Sequence, residues 1–217
     1  MRFKYILMTA GCLAISNIIA QTEYVNPMIG TNGMGHTFPG ACAPFGLVQL
    51  SPDTDTLSHS VNGVYNKDVY AYCAGYQYDD PTIVGFSHTH LSGTGHSDLG
   101  DILVMPTVGK LKLNPGRSAN PDEGYRSRFS HDTEIAGPGY YEVMLADYNI
   151  KAQLTATQRT GVHKYTFPEG TKDGRIILDL IHGIYNYDGK TLWASLRVEN
   201  DTLVTAVSYT HLRAHET

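Results

Sequence analysis

Several chemistries are excluded by what this 217-residue chain lacks. Its 16 lysines and arginines form no basic run, and the formal net charge is −5, so nucleic acid is not an expected partner. No G-K-[ST] occurs, which removes the phosphate-loop reading of its glycine-rich N-terminal stretch. No serine sits in G-x-S-x-G, and the cysteines lack an activating context, so neither a nucleophile elbow nor a thiolate catalyst is expected. Three cysteines make no disulfide framework. There is a single Trp, no convincing amphipathic helix and no internal repeat.

What is present is globular: 41% of residues are hydrophobic, and 15 Tyr with 22 Gly favour strands separated by many turns. Arg2 and Lys4 precede an apolar run over residues 5–20, too short for a membrane span, with Gln21-Thr22-Glu23 after it. This predicts a signal peptide over residues 1–20, with Ala20 last, and secretion to the periplasm or the outer-membrane surface. A lipoprotein signal with Cys12 lipidated is the weaker rival, because Thr9-Ala10-Gly11-Cys12 lacks the usual Leu three residues before the Cys. Losing Arg2 and Lys4 takes the charge from −5 to −7. Cys42 and Cys73 then remain, and two buried free thiols are favoured over a pair. At the other end, residues 207–217 (VSYTHLRAHET) depart from the pattern before them and resemble the translation of a sequencing-library adapter. The expected native domain is therefore 21–206.

Along that domain, residues 24–40 carry Pro27, Pro39 and several glycines, which excludes a regular helix. They form either an irregular crossover or a loop shaped to a ligand. Residues 69–78 (VYAYCAGYQY) alternate, with Tyr70, Tyr72, Ala74 and Tyr76 on one side, which argues a strand. Tyrosines so placed serve as core filler or as rings that stack on sugar faces. Lys110 to Leu113 also alternates. From residue 139 a meander is clear: Tyr141, Val143 and Leu145 share one face, and Ile150, Ala152, Leu154 and Ala156 share the next. Residues 161–167 form a further strand. Residues 175–181 (RIILDLI) are apolar on both faces apart from Asp179, as expected of a central strand. Residues 192–196 and 203–205 add two more. Turn signals at regular spacing point to an all-β, antiparallel β-sandwich.

The centre of interest is residues 83–109 (IVGFSHTHLSGTGHSDLGDILVMPTVG), a strand, a loop and a strand. The loop holds His88, His90, His96, Asp98 and Asp101 among glycines. His88 and His90 share a side if the strand continues through them. Three readings stand open: a His-ligated metal, though the spacing matches no closed zinc pattern; a structural loop with imidazoles on backbone carbonyls; and a polyol-binding loop, since neutral His and ionised Asp together donate to and accept from sugar hydroxyls. Asp98 and Asp101 are too close in sequence to flank a glycosidic bond comfortably.

Residues 26–54 (NPMIGTNGMGHTFPGACAPFGLVQLSPDT), 73–80 (CAGYQYDD), 85–109 and 139–168 together resemble the N-terminal domain of glycoside hydrolase family 92, across about residues 24–206. That resemblance implies a sandwich of the galactose-mutarotase type (a super-sandwich). In the family this domain precedes an (α/α)6 catalytic barrel, which is missing here. It implies a calcium-dependent, inverting exo-α-mannosidase acting on α-linked mannosides of mannan or N-glycans, with acid, base and most Ca2+ ligands in the barrel. Carried over by motif, sugar contacts would come from Tyr70 and Tyr72 and from His88, His90, Asp98 and Asp101. Family members often have Trp where Tyr stands at 70 or 72. A stand-alone exported carbohydrate-binding sandwich is the alternative.

Overall fold

The computed structural model of the chain describes residues 22–93, 99–186 and 189–210. The expected signal peptide, Cys12, His96, Asp98 and the tail from residue 211 lie outside them. The strands in chain order are Ala41–Cys42 (β1), Gln49–Asp53 (β2), Leu57–Ser58 (β3), Ser60–Val61 (β4), Val64–Tyr65 (β5), Thr82–Ile83 (β6), Gly85–Ser87 (β7), Leu103–Thr107 (β8), Ser127–Arg128 (β9), Ile135–Gly137 (β10), Tyr140–Leu145 (β11), Ile150–Ala156 (β12), Gly161–Thr166 (β13), Arg175–Asp179 (β14), Tyr185–Asn186 (β15), Thr191–Asn200 (β16) and Leu203–Thr210 (β17).

β1-β2-β7-β8-β14 form one antiparallel sheet and β10-β11-β12-β13 a second. β1 and β2 lie against β12, and one buried cluster joins the two layers. Leu50, Phe86, Leu103 and Met105 enter it from the first sheet, and Tyr141, Val143, Leu145, Ile150, Ala152 and Leu154 from the second. The alternation of β11 and β12 produces this directly. Their register sets Tyr141 against Leu154, Val143 against Ala152 and Leu145 against Ile150, so every inward residue meets an inward partner. Burying each of these aliphatic side chains contributes about 1.5–3 kcal/mol. Asn149 (φ 50°) closes the hairpin in a conformation that Asn tolerates. The molecule is an all-β sandwich, as its pattern predicts.

Several features depart from expectation. Residues 69–78 are not a strand: Lys67–Tyr72 is a 3-10 helix, capped by the Asn66 side chain accepting from the Asp68 N–H at 3.1 Å. Val69 and Cys73 are the buried pair, at helical spacing, and Tyr70 is left 41% exposed. The Asn cap and the left-handed Gly75 (φ 80°) override the two-residue alternation. β14 is an edge strand, bonded only to β8 in its sheet, with Ile176 and Leu178 47% and 37% exposed. Lys110 to Leu113 forms no strand, and Leu111 and Leu113 face solvent. The β16–β17 hairpin is longer than the expected strands at 192–196 and 203–205, running through Thr210 with Trp193, Val198 and Tyr209 exposed. Cys42 and Cys73 are not joined by a disulfide, and Cys73 is buried but Cys42 exposed, against the expectation of two buried thiols.

Candidate functional site

The central loop leaves β7 at Ser87 and rejoins the sheet at β8. Its base is laced by main-chain bonds: His88 N–H donates to the Asp101 carbonyl at 3.0 Å, and Gly100 N–H to the Thr89 carbonyl at 2.8 Å. Asp101 and Thr89 close the same ring, the Asp101 N–H donating to Thr89 Oγ1 and that hydroxyl to Asp101 Oδ2, both at 3.0 Å. Asp101 therefore clamps the neck of the loop. Ile102, a β-branched residue, is forced to φ 57° at the exit.

His88 and His90 do not share a face. His88 turns toward β13. Its Nδ1 lies 2.7 Å from the Ile102 carbonyl, which only accepts, so Nδ1 carries the hydrogen. Its bare Nε2 then accepts from His163 Nε2 at 3.1 Å, and His163 Nδ1 accepts from the Tyr165 hydroxyl at 2.7 Å. This chain of donors runs one way and needs a bare Nε2 on His88, hence a neutral His88 ring. Burial pushes the His163 imidazole down to about 4, with the neighbouring His88 adding to the effect. Burial lowers His88 as well, partly offset by the Ile102 carbonyl.

His90 turns the other way, into the molecule. It is 1% exposed. Its Nδ1 donates to the Gln49 carbonyl at 2.7 Å, and its Nε2 meets Asp53 Oδ1 at 2.9 Å, with Ser87 Oγ 3.1 Å from the same nitrogen. Both ring nitrogens face acceptors, so both donate. His182 Nε2 reaches the second oxygen, Asp53 Oδ2, at 2.8 Å. Burial alone would raise the Asp53 carboxyl, but the charge and hydrogen bonds of His90 and His182 outweigh it and hold the group far below the usual carboxylate range. Because Ser87 and Asp53 approach the same nitrogen, they form no nucleophile–base–orienter relay. Gly75 packs against this knot so closely that a Cβ would lie 2.1 Å from Asp53 Oδ1.

The tyrosines differ in role. Tyr72 donates its hydroxyl to Asp80 Oδ1 at 3.1 Å, and burial with that carboxylate raises its phenol well above the ordinary value. It is a tied side chain and not an open platform. Tyr70 keeps an open ring and meets His36 edge-on, with centroids 4.7 Å apart. A second buried carboxylate, Glu134, accepts from Tyr76 and Tyr141 at 2.9 and 2.6 Å and faces His131, whose ring stacks on Tyr78. A third, Asp55, pairs with buried Arg126 at 2.8 Å. Among the described residues, no group of three His, Cys, Asp or Glu side chains is arranged to hold a metal ion. Among the described residues, Asp53, Glu134 and the half-buried Asp55 are already engaged by imidazoles, tyrosines or Arg126, while Asp80 Oδ2 is buried with no hydrogen-bonding partner.

Sequence reasoning placed Tyr70, Tyr72, His88, His90, Asp98 and Asp101 in one site, of which Asp98 lies outside the described residues. The structure puts Tyr70 at the surface, binds Tyr72 to Asp80, and uses His88, His90 and Asp101 to hold the loop. His90 offers no atom to a ligand, because both its nitrogens are engaged and it is sealed. Asp53, His182 and His163 were missed. Asp53 ends a strand in Ser51-Pro52-Asp53, which reads as a turn, and nothing local pairs it with a residue far along the chain.

Comparison with known proteins gives this arrangement a setting. The family model described as the glycosyl hydrolase family 92 N-terminal domain matches residues 24–214. The solved family 92 α-mannosidase of Bacteroides thetaiotaomicron in complex with mannoimidazole is 44% identical, with a TM-score of 0.76, over 86% of this chain and 23% of that one. A family 92 inverting mannosidase of the same organism is 27% identical, with a TM-score of 0.62, over 88% of this chain and 22% of that one. An uncharacterized secreted glycosidase of Arthroderma benhamiae is 28% identical over 222 residues, covering 95% of this chain and 26% of its own length. The chain thus spans about a quarter of the length of these relatives. It belongs to glycoside hydrolase family 92, and what it carries is that family's N-terminal domain.

Proposed function

We propose that the chain is the sugar-facing, non-catalytic part of a secreted exo-α-mannosidase. It would wall the pocket for a terminal mannose of an α-linked mannan or N-glycan. The observation that carries this is the 44% identity to an α-mannosidase of which the match occupies only 23%. In this reading, hydrolysis is a single displacement with inversion. An acid protonates the leaving oxygen while a second carboxylate activates water across the ring, the pair standing about 6.5–9.5 Å apart. Asp53, Asp55 and Glu134 are each engaged by neighbouring side chains, which supports the reading that the acid and base lie outside this domain. Calcium, which would grip sugar hydroxyls, belongs there too. This chain's own residues contribute shape and water exclusion. Tyr70 offers a ring, and the His88 and His90 anchors hold the loop at fixed geometry. The proposed address is the periplasm or outer-membrane surface, following a signal peptide over residues 1–20. No helix among the described residues is long and apolar enough to cross a membrane.

The test is to assay the chain for calcium-dependent release of mannose from α-1,2-mannobiose. No turnover is expected, and clear turnover would refute the placement of the acid and base elsewhere. The alternative is a stand-alone carbohydrate-binding sandwich. It would be favoured if mannose binds while the uninterrupted native gene product is also inactive.

A further inference from the structure

We infer that His36 supplies a hydroxyl-binding nitrogen to a sugar seated against Tyr70, which makes residues 30–37 a recognition loop for a terminal pyranoside. This rests on the sugar-facing reading proposed above and adds to it a residue outside the central loop.

His36 is 7% exposed, and its Nε2, itself shielded from solvent in this conformation, has no hydrogen-bonding partner among the described residues. Its backbone lies at φ 51°, in the left-handed region that a bulky side chain disfavours. Both features are destabilising, and a glycine at this position would remove both. The conformation persists because the loop is held from several sides. Thr37 N–H donates to the Gly30 carbonyl at 3.3 Å, and Gly93 N–H to the His36 carbonyl at 2.7 Å. Gly35 sits so close to Gly30 that a Cβ would lie 2.1 Å from its carbonyl oxygen. Asn32 Nδ2 donates to Asp79 at 2.8 Å, and Gln77 Nε2 to the Gly33 carbonyl at 3.1 Å. The surroundings therefore over-determine a strained residue whose side chain is polar and unsatisfied, the combination that marks a ligand contact.

The position of the ring says which ligand. It meets Tyr70 edge-on at 85°, and Tyr70 is partly open to solvent. The two rings together offer an apolar surface and a group that either donates or accepts. That matches the apolar face and hydroxyl rim of a pyranoside. Two residues on, Phe38 packs on His90 with centroids 5.1 Å apart, which makes this loop continuous with the central one. A purely structural role, with His36 wedging Tyr70 in place, predicts no dependence on any particular hydroxyl.

The experiment titrates the chain with methyl α-D-mannopyranoside and its monodeoxy analogues, following imidazole resonances by NMR. Saturable binding of the parent is expected, with the His36 resonance shifting. His36→Asn, which tolerates the left-handed backbone, should weaken the parent about tenfold, roughly 1.4 kcal/mol. One deoxy analogue should be weakened against the wild type but bind the variant as well as the parent does. Equal weakening of every analogue by His36→Asn would assign a structural wedge and overturn the inference, as would an unmoved His36 resonance at saturation, a readout that needs no variant. In both cases the sugar-facing reading would survive. Absence of saturable binding by the wild type would instead defeat that reading, and this inference with it.

Discussion

Acid should loosen one anchor of the central loop well before the other. The perturbation is a fall in pH through the range in which the His88–His163 pair must stay neutral. His163 is held near 4 by burial and by His88, against an ordinary value of about 6.5. Its folded-state value is depressed, so the unfolded chain binds the proton more readily. The corresponding stability is complete above about 6.5 and is lost as pH falls toward 4. Linkage over that window gives a loss of about 2.5 kcal/mol at pH 4.5. Protonating His88 would place hydrogens on both facing nitrogens and break the 3.1 Å contact, whereas protonating His163 adds its hydrogen at Nδ1, against the Tyr165 hydroxyl. Denaturant midpoints between pH 7 and 4.5 measure the loss, and imidazole NMR reads the titration directly. The Asp53 knot should survive this window, because its carboxyl stays ionised. A His163 that titrates above 6, or a stability flat from pH 7 to 4.5, would refute the argument.

Further outcomes follow from the same geometry. Asp53→Asn leaves His90 and His182 without their shared anion and should cost about 3–5 kcal/mol in equilibrium unfolding; a loss below 1 kcal/mol would show that the knot is dispensable. Gly75→Ala adds a methyl 2.1 Å from Asp53 Oδ1 at a residue of φ 80°, and should cost roughly 3 kcal/mol by the same assay. The thermal midpoint of the chain should not move between added calcium and chelator. A saturable rise with calcium would reveal a cage that the described residues do not supply.

The sandwich was legible wherever alternation was unopposed. In β11 and β12 the pattern of Tyr141, Val143, Leu145, Ile150, Ala152 and Leu154 specifies both strand and inward face. The strand–loop–strand plan of residues 83–109 was equally plain, because two apolar runs flank a glycine-rich loop. Elsewhere a local signal competed. Asn66 caps a helical turn and Gly75 reverses the chain, so the tyrosine alternation between them carries no strand. β14 reads as central because both of its faces are apolar, but neighbour count is a tertiary property that hydropathy does not encode. The site was legible in its loop and not in its partners. His88 and His90 stand two residues apart, yet one answers to His163 and the other to Asp53, contacts made only after both sheets are assembled. Family resemblance identified the domain, while the division of the two imidazoles between opposite sides had to come from coordinates.

The free edge of β14 has a practical consequence for handling the protein. Among the described residues, Arg175–Asp179 pairs with β8 alone, while Ile176 and Leu178 face outward. Such an edge is a template onto which a strand of another molecule can register. Concentrated solutions of the chain should therefore self-associate by sheet extension, and the soluble ceiling should rise when Ile176 is replaced by lysine. The same substitution touches neither histidine anchor, so it gives a better-behaved background in which to measure everything else.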